Sequence, residues 1–282
     1  MAAPSEPPRA CDTVQSTLLV GVAELANDPN REGWEVRVAF SVELAGKTTV
    51  VTGASSGIGA AIARRFAESG SHVVLAARRR EKLEELAAEI TSAGGKALAV
   101  PTDVTDYSQV EQLIKTATTE TGSVDILVNN AGHAIAKSVV DSTPDEMDAQ
   151  VNSNLRGLMY GCRAALPGMI AQGAGQIINI GSNCSTRHYP DYAAYVAAKF
   201  AVLGFSRSLY EEVREQGVRV NVLMPAAVNT AWGDVAGAEL PWPREERLQP
   251  DDLAEAALFC VAMPQRVQVE SIALWPLVES TT

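Results

Sequence analysis

Tyr195 and Lys199 lie four residues apart in a stretch with helical periodicity, so their side chains share one face. A free phenol titrates at about pH 10, too high for easy proton exchange in neutral water. A nearby ammonium favours the phenolate and brings the group into working range. Such a pair suits moving a proton on and off an oxygen. The same spacing also occurs on solvated helix surfaces, so the pair gains meaning only from its surroundings. Ser182 precedes Tyr195 by 13 residues and closes a strand. In an open α/β sheet, ligands sit at the carboxyl ends of the strands.

A second constellation begins where Thr48 to Thr52 runs into Thr52-Gly53-Ala54-Ser55-Ser56-Gly57-Ile58-Gly59 and then an alanine-rich helix. Glycines serve where a chain turns tightly and where backbone must approach a pyrophosphate, and the free N–H groups of the helix start bind anions. A simple tight turn has the same composition. The strand–turn–helix placement is what makes it a dinucleotide signal. About twenty residues on, an NAD site places an Asp or Glu on the ribose. Ala76-Ala77-Arg78-Arg79 stands there instead. A guanidinium grips a 2′-phosphate where a carboxylate would repel it, which selects NADP(H) over a plain solvated basic turn. Asp103, after the third strand, is placed to accept a hydrogen bond from the adenine amino group.

These residues need elements to carry them. Strands are expected at 48–52, 72–77, 97–101, 124–129, 175–180, 218–224 and 269–275. Helices are expected between them, including one around 144–166, one over 192–216 and a last one over 251–261. Alternation of this kind gives a parallel sheet covered on both faces, an α/β class. The fold is then a Rossmann-like, doubly wound, single-domain sheet. Residues 1–45 read as an extension, partly disordered over Met1 to Arg9, with a strand or helix at 18–25 and 34–42.

The 282 residues carry 34 Asp and Glu against 23 Lys and Arg, a formal net charge of −11, which argues against nucleic-acid binding. No apolar run approaches the roughly 20 residues of a membrane span. Pro4, Glu6, Pro7, Pro8 and Asp12 stand where a secretory signal would be basic and then apolar. The scattered Cys11, Cys162, Cys184 and Cys260 suggest reduced thiols, and together these features point to the cytoplasm without a metal site.

Taken with Asn129-Asn130-Ala131-Gly132 and Asn154, the motifs occur in an order and at separations that resemble the short-chain dehydrogenase/reductase family over about residues 44–277. The resemblance implies that Ser182 polarises the substrate oxygen and Tyr195 exchanges its proton. Lys199 would lower the phenol pKa and bind the nicotinamide ribose, and Asn154 would hold a water of the proton relay. It implies a cofactor site made of Gly53, Ser55, Ser56, Gly57, Ile58, Gly59, Arg78, Arg79, Asp103, Val104, Asn130, Ala131, Gly132, Pro225, Val228 and Thr230, with Tyr195 and Lys199. Residues 46–282 would form the catalytic domain. The implied activity is NADP(H)-dependent interconversion of a small-molecule ketone or aldehyde with its alcohol. The alternatives are a non-catalytic nucleotide sensor, an NAD-preferring alcohol dehydrogenase, or a lyase or epimerase.

Family members pair through the helix of Tyr195 and the one before it, so a homodimer or homotetramer is expected, with Ala193, Ala194, Ala197, Ala198 and Ala201 permitting close approach. Two departures stand out. Ala226 replaces the usual glycine after Pro225, which would shift the nicotinamide-side loop if that position needs positive φ. The Gly-Gly near the last strand is absent. Trp232 and Trp242, in a Pro- and Trp-rich loop over 229–247, suit a pocket wall or core packing equally. Asn183, Arg187 and His188 are expected near the pocket entrance, and His133 has no evident partner.

Overall fold

The computed structural model describes residues 19–22, 38–237 and 241–280. Strands β1 (Leu19–Val22) and β2 (Val38–Ser41) pair antiparallel, Leu19 opposite Ser41. Both fall in the segments whose type the sequence left open. The disorder expected at Met1 to Arg9 lies outside the described residues.

A second sheet follows from β3 (Thr48–Thr52), β4 (His72–Ala77), β5 (Lys96–Pro101), β6 (Ile126–Asn129), β7 (Gly175–Ile180), β8 (Val218–Pro225) and β9 (Ser271–Leu274). Its order is β5-β4-β3-β6-β7-β8-β9, and every pairing is parallel. The helices between are α1 (Gly57–Glu68), α2 (Arg80–Ser92), α3 (Tyr107–Thr121), α4 (Pro144–Val151), α5 (Gly157–Gln172), α6 (Ala193–Val213), α7 (Trp232–Ala236) and α8 (Pro250–Ala262). The Rossmann-like, doubly wound sheet expected from the alternation is the fold observed.

Strand periodicity explains why the central strands are apolar on both sides. Val51, Val73, Leu75 and Ile178 enter one core with Ile62 and Phe66 of α1 and Leu258 of α8. Their neighbours Val50, Val74 and Ile177 enter the opposite core with Leu113 of α3, Met169 of α5 and Val202 of α6. Val42 and Leu44 also pack into the first core, so the packed body starts a few residues ahead of β3. The strand order reverses between β3 and β6, which opens a crevice at their carboxyl ends.

The segment expected as one helix around 144–166 is built in three parts. Thr143 caps α4 reciprocally with Glu146, and Pro144 takes the first turn, where a missing N–H costs nothing. A π-helical turn over Asn152–Arg156 joins α4 to α5. Helix α5 continues through Pro167 and stops only where Gly173 turns left-handed at φ 64°.

Candidate active site

A cavity of about 980 Å³ occupies the crevice and gathers the sequence-selected residues, Gly59 excepted, from eight segments of chain. The turn after β3 forms its floor. Gly53 sits at φ +67° and Gly57 at φ +56°, left-handed conformations that favour glycine. A Cβ on Gly53 would lie 2.9 Å from the Ala131 Cα and 2.7 Å from Asn130 Nδ2. That closeness has a cause. Asn130 Nδ2 donates to Thr52 O at 3.0 Å and Gly53 O at 3.2 Å, and the amides of Asn130 and Ala131 donate to Thr52 Oγ1 at 3.0 and 3.2 Å. The turns after β3 and β6 are stapled together.

Gly53→Ala is therefore expected to destabilise the fold by about 1–3 kcal/mol, from positive φ and a clash with backbone, as read by urea unfolding. Gly59 corrects the sequence expectation. It does not line the cavity, and its hydrogen faces Asn130 Nδ2 and Gly53 O, where a Cβ would stand at 2.5 Å from each. Its service to the site is to let α1 close on the turn.

At the end of β4 the two arginines do different work. Arg79 Nη2 donates to Ser55 Oγ and Ser56 Oγ, each at 2.8 Å, so its guanidinium is held over the glycine turn. Arg78 lines the cavity and makes no hydrogen bond or ion pair among the described residues. Asp103 lines it too, one carboxylate oxygen taken by Thr105 N at 2.9 Å and Thr105 Oγ1 at 2.8 Å. A free guanidinium beside a donor-rich turn fits a dinucleotide with a 2′-phosphate.

The other end of the cavity holds the proton-handling groups. Tyr195 and Lys199 project from α6, both buried. The Tyr195 ring packs against Trp232 with centroids 5.5 Å apart, so α7 supplies the apolar wall that the loop composition allowed. Trp242 lines the cavity as well. Lys199 Nζ lies 5.6 Å from the Tyr195 ring centroid and donates to Ile180 O at 2.8 Å. Ser182 caps a short 3₁₀ turn, Asn183–Ser185. Its Oγ accepts from Cys184 N at 3.1 Å and donates to Asn183 Oδ1 at 3.0 Å.

Burial dominates the electrostatics. It pushes the Tyr195 phenol well above its ordinary range, the neighbouring Cys184 adds to the rise, and the Ser182 side chain opposes it. It pushes the Lys199 ammonium down to about 8. This departs from a lysine that draws the phenol pKa down: Nζ lies over the ring and hydrogen bonds a carbonyl, and desolvation favours the neutral form of each group. Tyr195 is a protonated phenol at neutral pH, a donor.

Asn154 occupies the π-helical turn. Its Nδ2 donates to His133 O at 2.6 Å and Gln150 O at 2.8 Å, while its Oδ1 is buried without a partner among the described residues. Gly132 makes room for it, since a Cβ there would fall 2.3 Å from that oxygen. An orphaned acceptor in a cavity wall suits a site that receives a donor from a bound molecule.

His133 acquires the partner that the sequence did not supply. Its Nδ1 lies 2.8 Å from Ser153 Oγ, and burial, then the positive charge of Arg78, push its pKa down. Ala226 removes one concern. It is not at positive φ, and its N–H donates to Leu274 O at 2.9 Å, so a methyl group is accommodated without strain. Arg187 lies over the Trp275 ring at 5.0 Å, and neither it nor His188 lines the cavity, whereas Asn183 does. Tyr189 and Glu279 also line it, without any local motif to mark them.

A family model for the short chain dehydrogenases matches residues 47–239. An uncharacterized oxidoreductase of Staphylococcus aureus (strain USA300) is 38% identical over 234 residues, 83% of this chain and 99% of its own. Among solved structures, an alcohol dehydrogenase from the archaeon Thermococcus sibiricus, complexed with 5-hydroxy-NADP, superposes with a TM-score of 0.77 at 32% identity, over 84% of this chain and 99% of that one. A metagenomic short-chain oxidoreductase in complex with NADP gives 0.73 at 34% identity, over 84% and 99%.

Proposed function

The chain belongs to the short-chain dehydrogenase family, and from that premise we propose that it interconverts a small-molecule ketone or aldehyde with its alcohol, Tyr195 transferring the proton. Its cofactor is NADP(H). One observation carries the reading: a free Arg78 and the glycine turn lie at one end of a single cavity, with Ser182, Tyr195 and Lys199 at the other. When bound, the cofactor supplies or accepts the hydride.

The protein's own groups do the rest. Arg78 and Arg79 would hold the 2′-phosphate, and the amides of Ser55 to Ile58 would bind the pyrophosphate. Ser182 Oγ and the Tyr195 hydroxyl bracket the substrate oxygen. As a protonated phenol, Tyr195 gives its proton to the alkoxide formed on reduction, and Trp232 keeps water from its ring face. Lys199 would hold the ribose and return a proton to the phenolate left on Tyr195, and Asn154 Oδ1 would accept from the relay that reprotonates the lysine. Ketones, keto-acid esters, aldehydes and 3-hydroxy acids, followed at the NADPH absorbance, test the assignment. Stoichiometric loss of NADPH with substrate separates it from a nucleotide sensor or a lyase. NADPH retained with every compound would refute it.

Arg78→Asp is expected to lower NADPH efficiency by about 10- to 100-fold relative to NADH, the worth of roughly 1.5–3 kcal/mol for hydrogen bonds to a charged group. Equal use of NADH and NADPH by the native protein would contradict the role of the arginines.

The catalytic domain is assigned to 46–282, with 1–45 as an extension. The buried free thiols of Cys162, Cys184 and Cys260 suit a cytoplasmic setting. Met159 of α5 and Phe200 of α6 are 39% and 45% exposed, an apolar face that favours a homodimer or homotetramer through these helices. Ala198 serves the protomer's own core and not that face. Light scattering at micromolar concentration is expected to give twice or four times the 29.9 kDa chain mass.

A further inference from the structure

We infer that Glu279, in the tail beyond β9, is a positioning residue that ties the two walls of the catalytic cleft together. One carboxylate oxygen, Oε1, accepts from Asn183 Nδ2 at 3.2 Å. The other, Oε2, accepts from the backbone N–H of Ala227 at 3.0 Å. Asn183 in turn receives the Ser182 hydroxyl on its Oδ1 at 3.0 Å, so the carboxylate reaches the serine through a single amide. Ala227 belongs to the loop that follows β8 and carries Pro225 and Val228 along the cavity. Ser182 stands on the turn that follows β7. The two turns meet on one side chain that arrives from about fifty residues beyond the later of them.

The chemistry of the anion gives this link its direction. A carboxylate only accepts, so it fixes the Asn183 amide with its nitrogen outward and its oxygen toward Ser182. A neutral amide at 279 would present a donor to one of two donors and lose one of the bonds. Tyr189 OH, which accepts from the same Asn183 Nδ2 at 2.9 Å, completes the restraint from the entrance side. The neighbouring tail is differently placed: Leu277 is fully exposed, and Glu279 is the one described residue beyond β9 that lines the cavity. The role rests on the carbonyl–alcohol reaction proposed above, because positioning Ser182 matters only if Ser182 meets a substrate oxygen.

The test uses Glu279→Ala and Glu279→Gln in the full chain. Displacement of a reacting group by a fraction of an ångström is costly, so kcat is expected to fall about tenfold or more in Glu279→Ala, less in Glu279→Gln, with little change in KM. The double variant Asn183→Ala/Glu279→Ala should lie within about threefold of the worse single one, because the two residues act in one chain. Leu277→Ala should change kcat by less than about twofold, as expected for an exposed tail position. A readout independent of turnover is hydrogen exchange at the Ala227 amide, expected to speed up about tenfold when its acceptor is removed. Unchanged exchange overturns the link itself. Faster exchange with kcat within twofold of native overturns the positioning role. A native protein inert to every carbonyl compound refutes the reaction, and exchange then still reports whether the link exists, so the two failures come apart.

Discussion

Tyr195→Phe is expected to lower kcat by at least about 10²–10⁴-fold, the usual contribution of a placed general acid, while NADPH affinity stays near native. The ring keeps its packing against Trp232, so the fold and the apolar wall survive and only the hydroxyl is lost. Burial holds the proton on this phenol well into the alkaline range. The native enzyme should therefore show no loss of reduction from deprotonation of Tyr195 near neutral pH, and the reverse oxidation should speed up as pH rises. Steady-state rates beside a fluorescence titration with NADPH separate the two steps. A variant that keeps half its activity would mean that the proton comes from another group.

Lys199→Met is expected to damage both steps, with a turnover loss of about 10²-fold or more and weaker NADPH binding. The pH dependence follows from a pKa lowered from 10.5 to about 8 by burial. Below that pH the side chain is an ammonium that can donate to the ribose. As pH rises through it the charge is lost, so native NADPH affinity should decline on that limb, and the decline should be missing in Lys199→Met. Stability runs the other way. Between about 8 and 10.5 the unfolded chain binds the proton and the folded one does not, so native stability rises with pH across that window, and below it the buried charge is a standing cost. The methionine variant should therefore resist urea better than native at neutral pH while being nearly inactive, a trade of function against stability.

What the sequence could reveal follows from how far apart the interacting residues are. Tyr195 and Lys199 share a helix, the glycine turn spans eight consecutive residues, and Arg78 follows its strand directly, so local spacing was enough to place all of them in the crevice. The two-sided cores were legible for the same reason, since neighbours such as Val50 and Val51 must face opposite ways. Burial was not legible. A lysine near a tyrosine reads as a pKa-lowering charge until desolvation of both is known, and the structure reverses the direction for the phenol. Nor were contacts across the chain: the Glu279 bond to Asn183 spans 96 residues and leaves no motif. His133 and Ser153 are nearer, but their meeting depends on a helix with irregular phase. In sequence, a glycine that admits backbone, as Gly59 does, looks like a glycine that admits a ligand. Whether position 226 needs positive φ is a property of the backbone and not of the residue type, and this backbone does not need it.

The π-helical turn at Asn152–Arg156 also governs which changes of length the chain can accept. A residue of α-helix advances the phase by about 100°, so the turn acts as one inserted residue that keeps α4 and α5 in two separate registers. Asn154 faces the cavity in the first register. In the second, Gly157 packs under Val104 and Gly161 under Asn129, where a Cβ would lie 2.8 Å from Val104 Cγ2 and 2.4 Å from Asn129 Oδ1. Removing the extra residue here would restore an ordinary helix and leave α5 in its register, so Gly157 and Gly161 would keep the side on which they fit. What would be lost is the bulge that carries Asn154 into the cavity wall. A residue lost elsewhere in α5 has no bulge to absorb it, and would turn the segment beyond it by about 100°. The fold can therefore accept the shorter turn, and the site cannot.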